Sequence, residues 1–226
     1  MKPIISTFII VFLLAGTSFG QKISETIFSL GINKTSSPDQ EMYWNENAPP
    51  TYIFLNASKL WYRENHRISF GKEIGFNLQY SNVDLDSGGL GAHSWRSGNI
   101  ISLFADAAVL VRFRINKTLA IGFGPEAEIL MIGKNNINRS YYISYTTPPM
   151  SGEKHETGLN RDYFNQPSYG LKLCLFESGL TEKATIGLNF SYLWTKSESS
   201  NFYAANYARI SFLVGFKKKE TKQKKQ

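Results

Sequence analysis

From residue 21 onward, apolar side chains recur at every second position in one segment after another. Over residues 185–194, Ile186, Leu188, Phe190, Tyr192 and Trp194 share one face, and Thr185, Gly187, Asn189 and Ser191 share the other. Near the C-terminus Ala208, Ile210, Phe212, Val214 and Phe216 alternate with Tyr207, Arg209, Ser211 and Gly215. Between them in kind is the stretch 119–131. There Leu119, Ile121, Phe123, Ala127, Ile129 and Met131 oppose Ala120, Gly122, Gly124, Glu126 and Glu128. Period-two alternation of this length predicts strands with one apolar and one polar face. It yields eight strands, near 24–34, 52–63, 67–81, 99–114, 118–133, 167–177, 184–195 and 206–217. Their connections alternate between long or polar (35–51, 82–98, 134–166, 196–205) and short (64–66, 115–117, 178–183). The expected fold is all-β, an eight-stranded antiparallel up-and-down transmembrane β-barrel. An even strand count closes the sheet and leaves no edge exposed to lipid.

Two segments fit this pattern less cleanly. In 52–63, Tyr52 and Phe54 lie on one side and Ile53 and Leu55 on the other. In 67–81 the face of Ile68, Phe70, Ile74, Phe76 and Leu78 also carries Lys72, and a bulge near Gly71 or Gly75 would restore the alternation.

Alternation does not say which face is outside, and a lipocalin-like soluble barrel would turn the apolar one inward. The polar face carries Glu73, Asp106, Arg112, Arg114, Glu126, Glu128, Lys172 and Arg209, with Gly75, Gly122, Gly124, Gly170, Gly187 and Gly215 among them. Small residues suit a narrow lumen that must also hold long charged ones. On the apolar face, Tyr80, Phe113, Trp194 and Phe216 stand near strand ends, where an interfacial girdle forms. Both features favour apolar outside.

The N-terminus specifies the route. Lys2 precedes an apolar run from Ile4 to Ala15, followed by the small residues Gly16, Thr17, Ser18 and Gly20. That order is a secretory signal peptide, with cleavage expected after Gly20. The alternative, a membrane anchor helix, needs about 20 apolar residues, more than this run provides. The expected organisation is a leader over 1–20, a barrel over 21–217 and a basic disordered tail over 218–226. The net charge of +7 is uneven: residues 217–226 hold six Lys and one Glu, so the charge does not mark a nucleic-acid surface. The lone Cys174 forms no internal disulfide. The mean hydropathy of −0.25 suits a barrel as well as a soluble protein.

The stretch Ala107-Ala108-Val109-Leu110-Val111-Arg112-Phe113-Arg114, a tight turn, and then Ala120-Ile121-Gly122-Phe123-Gly124-Pro125-Glu126-Ala127-Glu128 resembles the middle hairpin of the PorT-like outer-membrane β-barrel family. The segment 210–216 is similar to that family's closing strand. The resemblance spans roughly residues 22–217. It implies an outer-membrane barrel of a Gram-negative bacterium and no common active site.

The chemistry is sparse. The three histidines, His66, His93 and His155, fall in expected turns and loops, and no His–Ser pair is spaced two apart on one strand as a lipid-modifying barrel enzyme would need. Asp84, Asp86 and Ser87 resemble a loose calcium loop without the full ligand series. No catalytic, cofactor or metal site is therefore expected. The residues singled out are the inward charges Asp106, Arg112, Arg114, Glu126, Glu128, Lys172 and Arg209. Buried charges must pair, so they form either a salt-bridge network plugging the lumen or the lining of a narrow pore. With a turn near 115–117, Asp106 should face Glu128, and those like charges should reach Arg112, Lys172 or Arg209 on other strands. The expected partners are outer-membrane lipid and a protein bound by extracellular loops, especially 134–166 with Tyr141, Tyr142, Tyr145, Pro148 and Pro149. A narrow channel, a secretion component and a barrel enzyme are the alternative roles.

Overall fold

The computed structural model describes residues 21–36, 51–64, 67–89, 91–146, 148–159, 167–181, 183–195 and 206–219. The leader, residues 1–20, and most of the expected tail, 220–226, lie outside the described residues, as does His66. Nine strands are present: β1 Gln21–Ser36, β2 Thr51–Glu64, β3 Ile68–Gly89, β4 Ala92–Arg114, β5 Leu119–Ile143, β6 Met150–Leu159, β7 Ser168–Thr181, β8 Ala184–Thr195 and β9 Asn206–Lys219. Eight of them close a ring, β1-β2-β3-β4-β5-β7-β8-β9, in which each strand is antiparallel to its neighbours and β9 pairs back onto β1. β9 runs two residues past the expected strand end, so Lys218 and Lys219 belong to the sheet.

Burial settles which face is outside. Leu30 and Leu171 are 60% and 58% exposed, and Phe76, Phe212 and Phe190 stand out with them. Glu25, Glu73, Asp106, Glu126, Glu128, Lys172 and Arg209 are buried. A soluble protein would reverse this distribution. A closed ring that is apolar outside and polar inside is an outer-membrane β-barrel, with lipid as the solvent of its outer wall. Outward Trp and Tyr side chains sit toward strand ends, with Tyr80, Tyr192 and Trp194 at one rim and Trp61 toward the other.

The two irregular segments resolve without a bulge at Gly71 or Gly75. β2 alternates regularly, with Tyr52, Phe54, Asn56, Ser58, Leu60 and Tyr62 inward. Its inner face is aromatic or aliphatic toward both ends and polar in the middle, which is why both faces read as apolar. Lys72 does lie on the outer face. It stands close to the start of β3, in register with Trp61 and Val109, where a lysine stem can carry its ammonium to the interface. The bulge sits elsewhere. The β4–β5 register shifts at Leu103/Phe104, with Leu103 opposite Ile132 and Phe104 opposite Leu130, leaving Met131 as the extra residue. Below it Glu126 and Glu128 face inward; above it the inward phase passes to Gly133 and Ile137.

Two expected loops are sheet instead. Segment 82–98 is the far end of the β3–β4 hairpin, paired from Asn82↔Asn99 to Gly89↔Ala92. Segment 134–166 contains the upper part of β5 and the added strand β6, which pairs with it from Lys134↔Leu159 to Ile143↔Met150. His93 and His155 are therefore strand residues. These parts carry polar residues on both faces, so their ladder hydrogen bonds leave no period-two signal in the sequence. Together they form a four-stranded ribbon, β3-β4-β5-β6, standing beyond the ring. Its two tips are tied by Ser144, whose N and Oγ donate to Gly91 O at 2.6 and 2.9 Å.

At the opposite end, the β4–β5 turn is closed by Asn116. Its Oδ1 accepts from Thr118 N at 2.8 Å and Leu119 N at 2.7 Å. Such Asx geometry explains a connection of only four residues.

The ribbon leaves the barrel at Gly98. Its φ is 156°, and a Cβ there would stand 2.0 Å from Asn136 O. Only glycine adopts this backbone readily, at a cost of about 1–3 kcal/mol for other residues. Gly98→Val should loosen the ribbon and spare the ring. The expected result is faster protease cleavage between residues 82 and 159 with the heat-modifiable gel shift of the barrel retained.

Candidate functional site

The inner wall is built in layers. One end is apolar: Ile23, Ile27, Leu60, Tyr62, Ala108, Leu110, Ala120, Cys174, Phe176 and Leu213 pack as one cluster. Tyr52, Phe54, Ile100, Phe104 and Leu193 are buried toward the ribbon end. Between them lies a charged belt.

The belt is held by ion pairs that cross the lumen. Lys172 on β7 donates to Glu73 Oε1 on β3 at 2.9 Å and stands 3.9 Å from Glu126 on β5. Arg209 on β9 reaches Glu128 Oε2 at 2.5 Å and Glu126 Oε1 at 3.7 Å. Lys172–Glu126 joins neighbouring strands, whereas Lys172–Glu73, Arg209–Glu126 and Arg209–Glu128 each join strands three places apart in a ring of eight, so these three brace the barrel across its width. Glu128 is the hub. Besides Arg209 it accepts from Tyr207 Oη at 2.9 Å, Asn77 Nδ2 at 3.3 Å and Gln79 Nε2 at 3.4 Å. Ser58 Oγ donates to Glu73 at 2.6 Å, Asn56 Nδ2 to Asp106 at 3.2 Å and Asn33 Nδ2 to Gln79 at 3.3 Å.

Asp106 faces Glu128 in the β4–β5 register, as the turn position requires. The two acids are satisfied by different donors, so the opposition of like charges is relieved across the lumen. The candidate set therefore divides. Glu126, Glu128, Lys172 and Arg209 form one network, and Asp106 borders it. Arg112 does not join them. It is six residues from Asp106, roughly 20 Å of strand, and lies in the apolar end with its guanidinium 4.4 Å from the Tyr62 ring centroid and 5.0 Å from that of Phe176. Arg114 is half-buried at the end of β4 beside the turn, where its N donates to Arg67 O at 2.8 Å.

Two acids of the inner wall were not among the expected network. Glu73 was legible as inward, but its partner is three strands away. Glu25 is fully buried, and the place where a Gly215 side chain would begin is filled by its carboxylate. Its strand begins with Gln-Lys-Ile-Ser-Glu, where the alternation is weakest.

On the ribbon, His93 and Ser94 occupy successive positions of β4 and so project from opposite faces. The His93 ring lies tilted against Trp95, with ring centroids 4.1 Å apart, and His155 Nδ1 shares a hydrogen bond with Asn138 Oδ1. Tyr142, Tyr145 and Met150 are exposed near the tip.

No family model matches the chain, and no curated protein matches it. Solved structures with a similar fold include Ail, the attachment invasion locus protein of Yersinia pestis, in complex with the heparin analogue sucrose octasulfate. It is 11% identical, the match covers 88% of this chain and 100% of that one, and the TM-score is 0.41. Neisserial surface protein A is 7% identical over 86% of this chain and 96% of its own, with a TM-score of 0.43. The toluene transporter TodX of P. putida is 6% identical over 93% and 92%, with a TM-score of 0.32. At these identities the likeness concerns the fold alone.

Proposed function

We propose that this outer-membrane barrel is a non-enzymatic recognition protein, with a lumen closed by its charged belt and a β-ribbon presented outside the cell. The belt carries the reading. Glu73, Glu126, Glu128, Lys172 and Arg209 are all buried and linked across the axis by bonds between strands three places apart. Pulling such groups apart costs several kcal/mol per uncompensated ion, so the belt holds the lumen shut as it holds the strands. The ribbon then remains as the part shaped to meet something, and its partner is a molecule outside the cell. On this reading residues 1–20 are removed on export and 220–226 are a basic tail at the periplasmic end. The middle hairpin keeps the PorT-like resemblance. A narrow channel is the rival role. It draws on Glu126 Oε2, Asn77 Oδ1 and Arg209 Nε, which are buried without hydrogen-bond partners and would be satisfied by water.

Planar-bilayer recording separates the two. The purified full barrel should give no conductance steps, and Lys172→Ala should introduce them by cutting the brace to Glu73. Regular steps from the unaltered protein would establish the channel instead.

A further inference from the structure

The ribbon carries a charge arrangement that sheets avoid. Arg96 on β4 stands directly opposite Arg139 on β5, and Arg139 directly opposite Lys154 on β6. Like charges in direct cross-strand opposition destabilise a sheet. Here three cations lie in one row across three adjacent strands, with strand spacings of about 4.8 Å. Along β6, Glu153 falls on the opposite face, and Glu156 is one step along on the row's own face, opposite Ile137, beside the row and not in it. Arg139 Nε is buried without a hydrogen-bond partner.

The row's face is defined by the ladder. Arg96 is in phase with Ile100, Ser102 and Asp106, which point into the barrel, and the β3–β4 and β4–β5 ladders are regular from Arg96 to Ile100. The cations therefore face the side of the ribbon that overlooks the lumen mouth. The surrounding lipid leaflet meets the other side. A ligand for this face arrives from the aqueous phase above the mouth.

Next to the row, Ser94, Tyr141 and Gly152 are in register on the same face. The Tyr141 ring lies over Gly152: a Cβ there would stand 2.5 Å from Tyr141 Oη and 2.6 Å from Cζ. The missing side chain lets the phenol lie down on the sheet. A flat ring beside a line of cations supplies an apolar platform for a sugar ring and counter-charges for its substituents. The strand spacing is comparable with the length of one sugar unit, so successive cations can meet successive units of an extended chain.

We propose that Arg96, Arg139, Lys154 and Tyr141 form a binding site for a soluble acidic polysaccharide, one that carries sulfate or carboxylate groups along a linear chain. This rests on reading the ribbon as a recognition surface.

The test uses the full barrel in phosphatidylcholine nanodiscs, free of lipopolysaccharide, with fluorescently labelled dextran sulfate and uncharged dextran of equal length. Dextran sulfate should bind and dextran should not, and binding should weaken as salt screens the row. Arg139→Gln should weaken it at least tenfold, and Tyr141→Leu and Gly152→Val severalfold, with the heat-modifiable gel shift confirming an intact barrel in each. Lys134→Gln, which removes a cation from the outward face of β5, should bind as the unaltered protein does. Equal binding of dextran and dextran sulfate, or equal losses from Lys134→Gln and Arg139→Gln, would overturn the proposal. So would binding of oligodeoxythymidylate as tightly as dextran sulfate, which would assign the row to nucleic acid. A barrel that neither conducts nor binds dextran sulfate refutes the ligand class and leaves the closed lumen standing; a conducting barrel refutes the closed lumen whatever binds the ribbon.

Discussion

Glu128→Gln should lower the stability of the detergent-solubilised barrel by about 3 kcal/mol, the low end of the cost of breaking a buried ion pair by removing one member. The carboxylate gathers Arg209, Tyr207, Asn77 and Gln79 around one buried point. The amide keeps a comparable shape but leaves Glu126, 3.7 Å from Arg209 Nη1, as the acid paired with Arg209 among the described residues. Arg209→Met should be similarly costly, because it strands Glu128. Combining the two removes both charges, so the double variant should lose clearly less than the sum of the singles. The same cycle with Arg112→Met should be additive, since Arg112 lies between Tyr62 and Phe176 in a different layer. Urea titration of the folded gel band measures all four corners. Additivity with Arg209, or coupling to Arg112 alone, would show that the belt is not built as described.

How much of this was readable in advance depends on what each residue's position obeys. Ring strands obey burial. Leu188, Phe190, Ser191 and Arg209 announce their faces through period two, because lipid lies on one side and the packed lumen on the other. The Asp106–Glu128 opposition followed from one short turn and strand geometry. Arg209 was among the candidate bases for Glu128 and is its partner, but the Lys172–Glu73 pair did not follow, because the two are 99 residues apart and meet only through closure of the ring. Of the three candidate bases for Glu128, only depth along the strand excludes Arg112, and depth depends on register and shear. The ribbon was hidden for a different reason. Beyond the membrane both faces of β3, β4, β5 and β6 meet water, so Arg96 and Asn138 have no burial signal, and only hydrogen-bond ladders reveal the strands. The bulge at Met131 was hidden by its own residue type: an apolar side chain continued the apparent alternation through the point where the phase changes.

The outer wall offers the sharpest contrast in depth. On β8 the outward positions Leu188, Phe190, Tyr192 and Trp194 climb from the middle of the wall to its rim. Leu188 stands opposite Leu175 and Phe212, so its neighbours are aliphatic and aromatic on both sides. Trp194 packs edge-on to Tyr192, with ring centroids 5.2 Å apart, the pair forming part of the rim. Arginine on a lipid-facing wall costs about 2–4 kcal/mol at the bilayer midplane and about 0–1 near the interface, where the side chain reaches water. Leu188→Arg should therefore lower the yield of folded barrel in bilayers severely, and Trp194→Arg only slightly. Asn189→Arg provides the opposite face: its side chain enters the lumen next to Cys174 and Ser211, where an added cation meets the packed inner wall instead of lipid. Its damage should depend little on lipid chain length. That of Leu188→Arg should grow as the acyl chains lengthen and the midplane moves farther from water. Folding yields in bilayers of two thicknesses decide the matter. Equal sensitivity of Leu188→Arg and Trp194→Arg, or a thickness dependence confined to Asn189→Arg, would mean that the apolar wall does not face lipid.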